Sequence, residues 1–109
     1  MIAVKVDGVL ECGEPRGPVK IAWLTSLSAT ERVVIVDDNY RKVWNRIDLG
    51  GHTIPAYVLG DSLRDRLRNI KLLFQEDRYI FVGPESDRVD AEAEGFTYIQ
   101  PEKFVEAIL

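Results

Sequence analysis

The 109-residue sequence predicts one α/β domain, residues 1–109, built on a five-stranded parallel sheet with helices on both faces. Two observations predict it. Apolar runs alternate with amphipathic runs from end to end, and five strand-like segments between five helical ones imply a parallel sheet covered on both sides. The balance of 46% hydrophobic and 29% charged residues is that of an ordinary globular chain with a single core. No repeat, low-complexity segment or interdomain linker interrupts the pattern. The connections are expected to be right-handed.

Residues 2–6 form a short apolar strand. Gly17-Pro18 places a proline at the first helical position and opens a helix to about Ala29, with Val19, Trp23, Leu24 and Leu27 on its apolar face. Residues 32–36 are β-branched throughout after the arginine and make the clearest strand. Residues 39–47 read as a helix, because Tyr40, Val43, Trp44 and Ile47 fall on one arc, and Gly50-Gly51 breaks it. Residues 56–59 are the third strand. Ser62 caps the next helix with Asp65 in the capping-box position, and Leu63, Leu67, Ile70 and Phe74 form its stripe. Residues 78–82 make a fourth strand ending at Gly83-Pro84, Asp87 opens a helix closed by Gly95, and residues 96–99 are the fifth strand. Pro101 opens a last helix with Phe104, Val105 and Ile108 inward.

Composition excludes several classes of function. The formal net charge of −4 offers no global basic field for nucleic acid. No apolar run approaches the ~20 residues of a membrane span. The N-terminus lacks the basic start, apolar stretch and cleavage site of a signal peptide. Cys12 is the only cysteine, so no disulfide forms within one chain and the expected compartment is the cytosol. The single histidine, His52, cannot anchor zinc with one distant thiol.

Ligands of open parallel sheets bind beyond the carboxyl ends of the strands. The residues there are Lys5 to Gly8, Asp37 and Asp38, Gly60 and Asp61, and Gly83 to Asp87. Four of the five strands thus end in acidic or glycine-bearing turns, part of which helix capping explains. Asp38 or Asn39 capping the following helix is the plain alternative to a site there. The Asp37-Asp38 pair also resembles the acidic pair of a receiver domain, but RYIFVG offers no phosphoryl-accepting aspartate. Arg64, Arg66, Arg68 and Lys71 are interleaved with Asp61 and Asp65 and read as a solvated helix face. Trp23 and Trp44 read as core, and Cys12 and His52 as exposed loop residues.

The stretch VKVDGVL, Val4 to Leu10, carries a resemblance. An apolar strand ending Lys5-Val6-Asp7-Gly8-Val9-Leu10 is similar to the first motif, D-x-D-G-[TV]-L, of the haloacid dehalogenase-like superfamily, mostly magnesium-dependent phosphohydrolases. RVVIVDD, Arg32 to Asp38, resembles the second-motif strand, which normally ends in Thr or Ser. YIFVGPESDRVDAEAEGF, Tyr79 to Phe96, resembles the fourth motif. The three follow in order over nearly the whole chain. The resemblance implies strand order 3-2-1-4-5, and the short segment between Glu11 and Pro18 implies a capless domain.

The departures from the family decide the expected chemistry. Lys5 stands where the family has its nucleophilic, metal-binding aspartate, while Asp7 keeps the general acid/base position. Asp37 replaces the phosphate-holding hydroxyl, and Ser62 opens the helix where the basic residue of the third motif belongs. Pro84 replaces the first acid of the fourth motif; Asp87 matches the second, with Glu85 as a partial substitute. A protonated lysine is neither a ready nucleophile nor a ligand for Mg²⁺, and a carboxylate at position 37 repels phosphate. Phosphoryl transfer depends on such positioned charges. The expectation is therefore a catalytically degenerate domain that binds a protein partner or small ligand, regulates, or builds structure, without metal or cofactor. Its alternative is a divergent Mg²⁺-dependent phosphohydrolase of an unknown phosphate ester, with Asp7 and Asp87 as metal ligands and Glu85 or Asp38 assisting. Lys5 is expected to be answered by Asp37 or Asp87, because a buried ammonium needs a carboxylate.

Overall fold

The computed structural model describes residues 1–46 and 54–108. Strands β1 (Ile2–Val4), β2 (Val33–Ile35), β3 (Ile80–Val82) and β4 (Thr97–Ile99) form one parallel sheet in the order β2-β1-β3-β4. β1 and β2 are buried along their whole length. Burial on both faces is why these strands are continuous apolar runs and do not alternate with polar residues.

The two-residue period still sorts their side chains. Ile2, Val4, Val33, Ile35 and Val82 face one core, which α1 (Ile21–Leu27), α2 (Arg41–Trp44) and α5 (Pro101–Ile108) cover with Ile21, Leu24, Val43 and Phe104. Ala3, Val34, Val36 and Phe81 face the other, covered by α3 (Leu63–Leu73) and α4 (Arg88–Ala93) through Leu67, Ile70 and Ala91. Helices on both faces of a parallel sheet follow. Among the described residues no helix is long and apolar enough to cross a membrane.

Among the described residues the sheet has four strands, not the expected five in the order 3-2-1-4-5. Residues 56–59, expected as the third strand, contribute a single parallel bridge between Ala56 and Ile35. Ile35 N donates to Pro55 O at 2.8 Å and Tyr57 N to Ile35 O at 2.8 Å. Pro55 has no N–H with which to extend the ladder. On the other side, Asn69 Nδ2 donates to Leu59 O at 2.7 Å and draws the segment onto α3. The ladder therefore stops at one rung.

Other boundaries move for local reasons. Pro18 does not open α1, because Val19 bridges to Leu10, and the helix begins where Glu11 Oε2 accepts Ile21 N at 2.7 Å. The helix expected over residues 39–47 is a 3-10 turn (Asp38–Tyr40) followed by α2, with Asp37 as its cap in place of Asp38 or Asn39. Ile47, Gly50, Gly51 and His52 lie outside the described residues. Trp44, expected in the core, is 42% exposed, with its Nε1 donating to Ile54 O at 2.8 Å. Ser62 caps α3 as the capping box requires, accepting Asp65 N at 3.1 Å. Asp87 makes no side-chain cap bond.

Between β1 and α1 the chain folds back tightly on itself. Gly8 N donates to Pro15 O at 2.6 Å, Gly17 N to Leu10 O at 2.9 Å and Val19 N to Val9 O at 2.9 Å. A Cβ at Gly17 would lie 2.2 Å from the backbone carbonyl of Val9, which cannot yield like a side chain. Gly17→Ala is therefore expected to destabilise the fold by about 1–3 kcal/mol through overpacking, measured by denaturant unfolding.

Candidate functional site

The carboxyl ends of β1, β2 and β3 converge through main-chain bonds. Lys5 N donates to Val82 O at 3.0 Å and Val36 N to Val4 O at 3.0 Å, which holds the next residues of each strand together. Beyond them lie Lys5, Asp7, Asp37 and Asp87.

Asp37 is the only buried charged residue among those described, at 5% exposure. Its Oδ2 accepts Val6 N at 2.9 Å and Asp7 N at 3.2 Å, and its Oδ1 accepts Asn39 N at 3.0 Å. Burial pushes the Asp37 carboxyl up, but the three N–H donors and the Lys5 charge together hold it below its ordinary range. Of the two carboxylates expected to answer Lys5, Asp37 forms no ion pair with it among the described residues, and the ammonium acts on Asp37 through its field. The carboxylate is already satisfied by backbone donors, so it need not meet the lysine.

Lys5 Nζ instead faces Asp87 Oδ2 at 4.0 Å, with both side chains about three-quarters buried. Burial raises the Asp87 carboxyl above its usual value, Asp90 and Asp37 push the same way, and Lys5 opposes them without prevailing. At this distance the ammonium does not offset the desolvation of the Asp87 carboxylate.

Asp7 is held from other directions. Its Oδ1 accepts Glu14 N at 2.9 Å and lies 3.7 Å from Lys42 Nζ, and its Oδ2 accepts Asn39 Nδ2 in a short contact. Glu14, Asn39 and Lys42 are site residues that sequence reasoning missed. The spacing of Asn39 and Lys42, three apart across the 3-10 turn and the start of α2, was the available signal.

The remaining predicted residues are not drawn in. Asp38 is largely exposed and pairs with Arg66 of α3 at 2.8 Å. Glu85 stays on the rim, 3.6 Å from Arg88 and 3.5 Å from Gln100. Asp61 lines a separate shallow cleft with Leu59, Asp65 and Arg68.

Magnesium takes hard oxygen donors in near-octahedral order. Asp7, one expected ligand, has both oxygens engaged by an amide, an asparagine and an ammonium; Asp87, the other, faces an ammonium. Among the described residues no three His, Cys, Asp or Glu side chains come together to hold a metal ion. These residues do not fit Mg²⁺.

The two shifted carboxyls predict opposite pH effects. Asp37, lowered, contributes stability above its unfolded value near 3.8 that is lost as pH falls through its lower folded value. Asp87, raised, contributes stability below 3.8 that is lost as pH rises through its higher folded value. Asp87→Asn is therefore expected to leave the melting temperature at neutral pH equal or higher, and to remove the gain on mild acidification. A marked loss at neutral pH would show that the Lys5–Asp87 contact outweighs desolvation.

Compared with protein-family models, curated proteins and solved structures, the chain finds no match.

Proposed function

We propose that this chain is a capless haloacid dehalogenase-like domain that has lost phosphoryl transfer and acts as a binding, regulatory or structural module. One observation carries the proposal: Lys5 stands where the resemblance requires a nucleophilic aspartate, and its ammonium faces Asp87. The parallel sheet, with Asp7 in the loop after β1, supports the family assignment. The loss of chemistry follows from charge. A nucleophile, a metal ligand and a hydroxyl donor have been exchanged for an ammonium and a carboxylate, and phosphoryl transfer needs those groups positioned together.

The partner is a protein or a small ligand, and the cytosol is the compartment that a lone Cys12 suits. The test is turnover of p-nitrophenyl phosphate with millimolar Mg²⁺, comparing wild type with Asp7→Asn. The expected result is equal background in both. Turnover that needs Mg²⁺ and disappears in Asp7→Asn would instead identify a divergent phosphohydrolase.

A further inference from the structure

Two loops from different strands aim three main-chain N–H groups at one point. Val6 N and Asp7 N come from the chain leaving β1, and Asn39 N from the turn leaving β2. The group at that point is a carboxylate, 5% exposed, and it belongs to the chain itself. Main-chain donors that converge without a competing acceptor form an anion-binding concavity, and charge-assisted bonds to such donors are about twice as strong as neutral ones. The Lys5 ammonium adds a favourable field.

We propose that Val6, Asp7 and Asn39 form an oxyanion cradle filled by the chain's own Asp37, and that a small carboxylate from solution takes the place when that side chain is removed. Asp37 is thus an internal ligand. It holds the cradle shut in the wild type, so a solution anion does not enter while it is ionised. This goes beyond the proposed function, because it rests on the three hydrogen bonds alone and stands or falls without reference to phosphatase activity.

Asp37→Ala leaves the three donors and Lys5 in place and removes the occupant. The experiment is thermal unfolding of wild type and Asp37→Ala in sodium formate and in sodium chloride at equal ionic strength. The variant is expected to gain about 4 °C or more in formate, saturating with concentration, through binding linkage to the folded state. The wild type is expected to respond alike to both salts. Equal responses of the variant to formate and chloride would overturn the proposal.

Where Asp37→Ala is unfolded in chloride, recovery of its circular dichroism in formate replaces the melting shift, and failure to recover counts against the proposal. Independently, the wild-type amide protons of Val6, Asp7 and Asn39 are expected to shift together on acidification, below the ordinary aspartate range. Lys5, Asp7, Asp38, Lys42 and Asp87 are charged groups near them. Three amides that shift at separate pH values, or that follow Asp7 or Asp87, would mean that no shared occupant sits in the cradle.

Discussion

Asp37→Ala in ordinary buffer is expected to lower stability by about 3–5 kcal/mol, an unusually large loss for one side chain. The loss comes from what is left behind. Three N–H groups lose their acceptor together, and a buried unsatisfied donor costs about 1–3 kcal/mol before water reaches it. The same carboxylate caps the turn after β2 and ties that turn to the chain leaving β1, so its removal loosens two strand ends at once. In a chain of this size the loss corresponds to a fall of about 15 °C or more in melting temperature. Asp37→Asn, which keeps one oxygen acceptor, is expected to lose less. A melting temperature within about 2 °C of wild type for Asp37→Ala would mean that water replaces the carboxylate without cost.

Lys5→Asp has the second largest expected effect, a loss of about 1–3 kcal/mol. It exchanges the ammonium facing Asp87 for a carboxylate, and Asp37 loses the positive field that helps to keep it ionised. Asp87 is already raised by burial and by its acidic neighbours, so a further carboxylate pushes it higher. The loss is therefore expected to shrink on mild acidification, as one acid of the cluster takes up a proton. The variant also recreates D-x-D-G at the end of β1, and with it a set of facing oxygen donors. A cation that binds there stabilises the folded state in proportion to its occupancy.

Much of the fold is legible in local sequence. The segments that hold β1, β2 and β3 are apolar because both faces of each are buried, and Ser62 with Asp65 announces α3 through a bond that spans only three residues. Residues 56–59 mislead because strand propensity says nothing of the neighbouring proline or of Asn69 reaching back to Leu59. The site was legible as a place and less so as a network. Lys5, Asp7, Asp37 and Asp87 lie where strand-end logic puts them, since alternation of strands and helices brings those ends together. Which of Asp37 and Asp87 meets Lys5 was not legible. Charge alone matches Lys5 with either, whereas the donors that hold Asp37 are backbone amides, which carry no residue signature. Asn39 and Lys42 reach Asp7 because the 3-10 turn that Asp37 caps swings them toward the β1 loop.

We infer that the chain's own cations and amides, and not a metal ion, balance the carboxylates at the strand ends. Thermal unfolding of wild type and Lys5→Asp, each with and without millimolar Mg²⁺ at constant ionic strength, tests it most directly. The wild type is expected to melt at the same temperature with and without Mg²⁺, and Lys5→Asp to recover part of its loss when Mg²⁺ is present. A Mg²⁺ response of the wild type as large as that of Lys5→Asp would contradict the claim.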